Sequence, residues 1–152
     1  MKLMAVTTQQ LKHLMSWFDN QQQIIDWAGP DFRYPFDQAS FTQDLMLDTH
    51  ASFALIADDS SMVAFGQYYQ RLGKCHLARL VVKPSARGQG IVAQLLTLLC
   101  TKGLKELALT DCSLFVMAHN NKAINVYLAA GFIVESYPLA LPCEQCLYLV
   151  KT

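Results

Sequence analysis

Apolar residues near the start of the chain recur at helical spacing. Leu11, Leu14, Met15 and Phe18 form one stripe. Thr7 stands before it with Gln10 three residues on, the pattern of a capping box. Lys2 to Val6 fits a short edge strand ahead of this helix, and Gln21 to Trp27 fits a second helical piece that Gly29-Pro30 breaks. An aromatic loop, Phe32-Arg33-Tyr34-Pro35-Phe36, then leads to Asp37, which caps a helix carrying Phe41 and Leu45.

From Ser52 the pattern becomes that of strands. Ser52 to Ala57 and Met62 to Gln70, joined by Asp58-Asp59-Ser60-Ser61, predict a hairpin. Cys75 to Val82 predicts a third strand, ended by Pro84. The chain then alternates. A helix is expected over Gln89 to Lys102, an amphipathic connector over Leu104 to Leu109, and a strand over Cys112 to Ala118. Asn121 to Ala130 follows as a helix, then strands over Phe132 to Tyr137 and Cys146 to Lys151. Strand–helix–strand order implies parallel pairing through crossovers. The fold class is therefore α/β (α+β), with a mixed, mostly antiparallel central sheet and helices on both faces.

At 152 residues the expectation is one domain spanning 1–152, burying roughly two thirds of its unfolded surface. The chain is 53% hydrophobic and 16% charged, which excludes disorder. No apolar stretch of membrane-spanning length occurs, and no signal-peptide pattern opens the chain, so a cytoplasmic protein away from the membrane is expected. Zero net charge without a basic run removes the footprint of a nucleic-acid binder. The zero hides an asymmetry: the first 60 residues hold eight acids against three bases, and the remainder holds the compensating positive excess. Five cysteines without an export signal argue against a disulfide framework. Cys143 and Cys146 lack a second pair or spaced histidines for zinc, and are expected to be ordinary turn and strand residues; no metal site is expected.

Chemistry concentrates in Val81-Val82-Lys83-Pro84-Ser85-Ala86-Arg87-Gly88-Gln89-Gly90-Ile91-Val92. A strand runs into a glycine-containing turn that opens a helix. Amides at a helix start lack internal partners and, with the helix dipole, favour an anion. Gly88 and Gly90 allow close approach to the backbone, and Arg87 offers a fork for phosphate oxygens. The Gly-Lys-Ser/Thr of a P-loop and the three spaced glycines of a dinucleotide fold are both absent. A plain two-glycine turn is the bland alternative.

Arg87 and Gly90 match the Gln/Arg-x-x-Gly-x-Gly/Ala fingerprint of the GNAT superfamily of acetyl-coenzyme A-dependent N-acetyltransferases, with Val92 in place of the final Gly or Ala. About 30 residues on, Asn120-Asn121-Lys122-Ala123-Ile124-Asn125-Val126-Tyr127-Leu128-Ala129-Ala130-Gly131-Phe132 is similar to that family's Asn-x-x-Ala-x-x-x-Tyr-x-x-x-Gly-Phe. The chain resembles this family most from Met62 to Tyr137, and only in layout before that. The resemblance implies the GNAT fold and direct attack of a primary amine on acetyl-coenzyme A. It assigns the diphosphate to the amides of Arg87, Gly88, Gln89, Gly90, Ile91 and Val92, and the pantetheine and carbonyl oxygen to Leu80, Val81 and Val82. Tyr127 becomes the donor to the leaving thiolate, and Asn120 a polar contact near the cofactor.

The base that deprotonates the amine is not legible. His76 is the local candidate because an ordinary histidine titrates near neutrality, and a water chain is its equal rival. In this family the segment before the second strand shapes the acceptor site. Here it offers Trp27, Phe32 and Tyr34 beside Asp26, Asp31 and Asp37, which would draw a small cationic amine or a peptide N-terminus. The rival assignment puts those aromatics in the core. A non-catalytic acyl-coenzyme A-binding module is the alternative function, and either a monomer or a homodimer fits.

Overall fold

The computed structural model describes residues 1–152. One seven-stranded sheet runs through the molecule in the order β1-β2-β3-β4-β5-β7-β6. The elements are β1 (Lys2–Ala5), α1 (Thr8–Met15), α2 (Gln21–Ala28), α3 (Gln38–Asp44), β2 (Ala51–Ile56), β3 (Met62–Arg71) and β4 (Lys74–Val82). They continue with α4 (Ile91–Leu107), β5 (Cys112–Met117), α5 (Asn121–Ala129), β6 (Ile133–Glu135) and β7 (Cys146–Lys151). Every neighbouring pair is antiparallel except β4–β5.

Local chemistry sets most boundaries as expected. The Thr7 side chain accepts from the Gln10 amide and the Gln10 side chain accepts from the Thr7 amide, closing the box that starts α1. Asp37 does the same with Ser40 at α3. Alternation in the strands then separates two cores. Phe53 and Leu55 face the α4–α5 side with Leu95, Leu96 and Leu99. Ala54 and Ile56 face the α1–α3 side with Leu14, Ile24 and Phe41.

Three expectations need correction. The helix expected to stop at Lys102 runs to Leu107 and absorbs the connector, because Leu104 and Leu107 continue its apolar side against the first core. β6 does not pair beside β5: β7 enters between them antiparallel to both, so the last strand of the chain is internal and β6 becomes an edge. Cys143 and Cys146 are joined by a disulfide. A turn in which the Cys146 amide donates to the Cys143 carbonyl brings their Cα atoms to 5.6 Å, within bridging reach.

The feature that shapes the centre of the sheet is a bulge. Across β3–β4, Phe65 pairs with Val81 and Gln67 pairs with Ala78, so Arg79 and Leu80 together oppose Gly66. Arg79 takes a left-handed φ of 50°. Gly66 leaves room for the bulge, since a Cβ there would stand 2.6 Å from Leu99 Cδ1 and 2.8 Å from Leu80 Cδ2 and both side chains would have to shift. Both leucines are held in packing around α4. A Gly66→Val variant is therefore expected to lose about 1–3 kcal/mol through overpacking, read as a lower denaturation midpoint in urea. An unchanged midpoint would show that the bulge has room to spare.

Candidate active site

β4 and β5 pair only from Cys75 with Cys112 to Leu77 with Leu114. Beyond that point β4 continues to Val82 and β5 to Met117 with no ladder between them. A cavity of about 520 Å³ is lined by both diverging strands, by Ala86–Gly88 and Gly90–Val92, and by Tyr127 of α5. The free edge of β4 is thus a row of backbone groups facing a space rather than a strand.

The turn after β4 completes this cavity. A short 3-10 turn over Pro84–Ala86 leads to Gly88 and Gly90, with left-handed φ values of 80° and 73°. Nothing in the protein comes within 4 Å of a Cβ built on either glycine. Gly90 caps α4 without a side chain. The backbone N–H groups from Gly88 to Ala93 find no acceptor within the protein. They stand at the positive end of a 17-residue helix. The Arg87 guanidinium folds back so that Nε donates to the Val82 carbonyl at 3.2 Å, leaving its remaining donors at the cavity.

Opposite the turn, Asn120 caps α5, its Oδ1 accepting from the Ala123 amide at 3.3 Å. Tyr127 is 8% exposed. Burial pushes its phenol up to about 12, and no protein group bonds the hydroxyl. It therefore keeps its proton at neutral pH and has it free to donate.

A second cavity, of about 220 Å³, adjoins the first; Asp26, Trp27, Arg79 and Phe115 border both. The Trp27 indole Nε1 is buried without a partner. Asp26 Oδ1 lies 3.0 Å from His119 Nε2 and 2.9 Å from Gln22 Nε2.

Most residues singled out from the sequence converge here. Leu80, Val81, Val82, Arg87, Gly88, Gly90, Ile91, Val92, Asn120 and Tyr127 all line the larger cavity, and Trp27 lines both. Gln89 is not among the lining residues and is exposed. Phe32 and Tyr34 line neither cavity. Phe32 is 5% exposed in the second core, edge-on to Phe41, so the aromatic run serves packing. The Tyr34 hydroxyl donates to the Asp19 carbonyl at 3.3 Å. Asp31 is exposed and Asp37 is spent on its helix cap.

His76 borders the smaller cavity yet is 2% exposed, with Nδ1 2.8 Å from Ser113 Oγ. Burial above all, and then the charge of Arg71, pulls it down to about 3. It is neutral at physiological pH and a weak base. No sequence signal pointed to Arg71 and Arg79 at the same cavity; they lie eight positions apart on two strands and meet only through the hairpin.

The splayed parallel pair, the amide-lined helix start and the buried phenol define an acyl-coenzyme A N-acyltransferase fold. Among solved structures, the chain is similar to spermidine N-acetyltransferase from Vibrio cholerae in complex with CoA and spermine, at TM-score 0.74 and 14% identity over 98% of this chain and 93% of that one. It is likewise similar to PaiA N-acetyltransferase from Thermoplasma acidophilum in complex with coenzyme A, at TM-score 0.72 and 18% identity over 99% and 97%. The sequence model of the acetyltransferase (GNAT) family matches residues 21–132. The chain belongs to that family, the enzymes that carry an acetyl group from acetyl-coenzyme A to an amine. No helix is long and apolar enough to cross a membrane.

Because the folded value of His76 lies below its ordinary 6.5, its titration leaves stability untouched above about pH 6.5. Stability then falls as pH drops towards 3, since the unfolded chain takes the proton first. A His76→Gln variant is expected to lose unfolding free energy less steeply than the parent between about pH 6.5 and pH 4. Equal slopes would mean that His76 titrates as an exposed histidine does.

Proposed function

We propose that this protein transfers the acetyl group of acetyl-coenzyme A directly to a small primary amine, with no acyl-enzyme. The observation that carries this reading is the run of unpartnered amides from Gly88 to Ala93 at the mouth of the larger cavity. Such donors suit the linked phosphates of coenzyme A, and the missing Cβ atoms of Gly88 and Gly90 leave them room. The free edge of β4 supplies main-chain partners for the pantetheine amides, in the way a peptide adds to a sheet edge. An N–H within Leu80–Val82 faces the thioester oxygen, where charge builds during attack. The free NH2 of Asn120 is a further donor at this cavity. Family membership and the coenzyme A in both solved relatives support the same donor.

During transfer the amine lone pair forms the new C–N bond, the C–S bond breaks and the sulfur leaves as a thiolate. Tyr127 meets that charge. A phenol near 12 holds its proton more tightly than a thiol near about 8.5 does. Its contribution is therefore a hydrogen bond to the sulfur, with net proton transfer only as the phenol is itself resupplied. The amine's own proton leaves through water or Asp26, which borders both cavities; His76 keeps a structural place against Ser113. A primary amine is the acceptor class that the family shares, and spermine accompanies CoA in one relative.

Thiol release from acetyl-coenzyme A in the presence of a panel of small amines is the expected activity. A Tyr127→Phe variant is expected to lower kcat about 10²–10³-fold while coenzyme A affinity by calorimetry stays near that of the parent. A Gly90→Val variant is expected to weaken coenzyme A at least about tenfold, because a side chain enters the anion cradle and left-handed backbone disfavours a β-branched residue. Cofactor binding with no thiol released from any amine would leave a binding module instead.

A further inference from the structure

The smaller cavity carries a charge that the rest of the protein does not answer. Two guanidiniums, Arg71 and Arg79, border it, with Asp26 the one carboxylate in its lining. Neither arginine is within ion-pair distance of any acid: the salt bridges of the chain are Met1–Asp58, Arg33–Asp44, Lys102–Glu106 and His119–Asp26. Asp44, the acid whose charge reaches Arg79, is itself engaged by Arg33 through Nε and Nη2. Both histidines of the lining, His50 and His76, are held below their ordinary values by burial, so they add little positive charge and no negative charge.

Both arginines are fixed in place. Arg79 Nη1 donates to Gln67 Oε1 at 2.8 Å. Gln67 is fully buried, and its Nε2 donates to the Leu45 carbonyl and to Ser52 Oγ, each at 2.8 Å, so its oxygen is turned to the arginine. Arg79 Nε is buried with no partner. Arg71 donates to the Tyr137 and Tyr69 hydroxyls at 2.8 and 2.9 Å, and its guanidinium lies 4.9 Å from the Phe115 ring centre. The Arg79 Nε is closed to solvent, so an anion in the cavity would meet the Nη2 groups of the two arginines, which bond nothing within the protein. A guanidinium suits an oxyanion. Hydrogen-bonding to glutamine and tyrosines leaves the positive charges themselves unneutralised.

We propose that the smaller cavity holds the acceptor, and that the acceptor is a small amino carboxylate whose carboxylate is bound by Arg79 with Arg71 beside it. Arg79 and Asp26 both stand on the wall shared with the acetyl-donor cavity, while Arg71 borders the smaller cavity alone. The carboxylate is therefore drawn inward between the two guanidiniums, and the amine is left on the Asp26 and Trp27 side. At about 220 Å³ the space is smaller than the roughly 300–1,000 Å³ of drug-sized ligand sites, which fits a compact amino acid. A polyamine would instead bring further positive charge against two guanidiniums, an unfavourable juxtaposition. This inference rests on the acetyltransferase reading above and names its substrate class.

The test compares free amino acids, their carboxamides, and spermidine and spermine as acceptors in thiol release. The carboxamides keep the same amine, less basic and so readier to attack, which means that a preference for the free acid reports the carboxylate. Free acids are expected to exceed their amides about tenfold to a hundredfold in kcat/KM, the usual range for losing a charged hydrogen-bond partner. Arg79→Gln is expected to raise KM for the free acid by a similar factor while changing kcat less, and Arg79→Lys to recover part of the loss. Equal or better turnover of carboxamides or polyamines would overturn the inference and leave acetyl transfer standing. Calorimetry of the same compounds on the coenzyme A-loaded protein separates the two claims. Binding of free acid but not amide, with no thiol released from any amine, would keep the carboxylate site and remove the transferase reading. Neither binding nor turnover of any free acid would remove the inference. If Arg79→Gln fails to fold, shown by its circular dichroism and coenzyme A affinity, the acid-against-amide comparison on the unaltered protein decides.

Discussion

Between Leu77 and Val82 the hydrogen bonds that should join β4 to β5 are missing, and the candidate site follows from their absence. A parallel pair that parts after three residues leaves one strand edge unpaired at the centre of a sheet. Such an edge is costly to bury without a partner. The cavity between the strands accommodates it, and a ligand with its own amides can complete it. The same divergence carries the end of β4 into the turn that opens α4, so edge and helix start face one space. The bulge of Arg79 and Leu80 over Gly66 accompanies the divergence, fitting one strand to β3 while releasing it from β5. Residues at this point serve two purposes at once: Leu80 packs under α4, and its neighbour Arg79 supplies a cation to the adjoining cavity.

Much of this arrangement was legible in the sequence because it is local. The Thr7–Gln10 box, the Asp37 cap, the hairpin turn at Asp58–Ser61 and the glycine-bearing turn at Arg87–Val92 each involve neighbours in the chain. The Asn120–Phe132 segment likewise gave α5 and put Tyr127 on its buried side. What escaped depends on distant partners. Nothing near Cys146–Lys151 says that this strand inserts between β5 and β6. Nothing in Leu77-Ala78-Arg79-Leu80 announces a bulge, because the left-handed residue is an arginine and the glycine that makes room is on another strand. The disulfide of Cys143 and Cys146 depended on a turn that composition alone does not reveal.

Charge and aromatic content place only some of their residues at the cavities. The acidic first 60 residues suggested a site for cations; of those acids Asp26 borders both cavities, whereas Asp37 caps a helix, Asp44 pairs with Arg33 and Asp31 faces solvent. The cavity beside them is basic because β3 and β4 deliver Arg71 and Arg79 from the other half of the chain. Likewise Trp27, Phe32 and Tyr34 look alike in sequence, and only the first lines either of the two cavities described. His76 has the residue type of a base and the surroundings of a core group. Field and burial at a site are sums over elements that meet in space, and spacing along one segment does not report them.

The amides that follow β4 are the groups on which donor binding turns. An isotope-labelled titration with coenzyme A, following backbone N–H resonances, tests them without any assumption about the acceptor. The N–H signals of Gly88 to Ala93, and those along the free edge from Ala78 to Val82, should shift together and saturate with one affinity, while β1, the far edge of the sheet, stays still. Coenzyme A binding that leaves the Gly88–Ala93 signals unmoved, or no binding at all, would contradict the account.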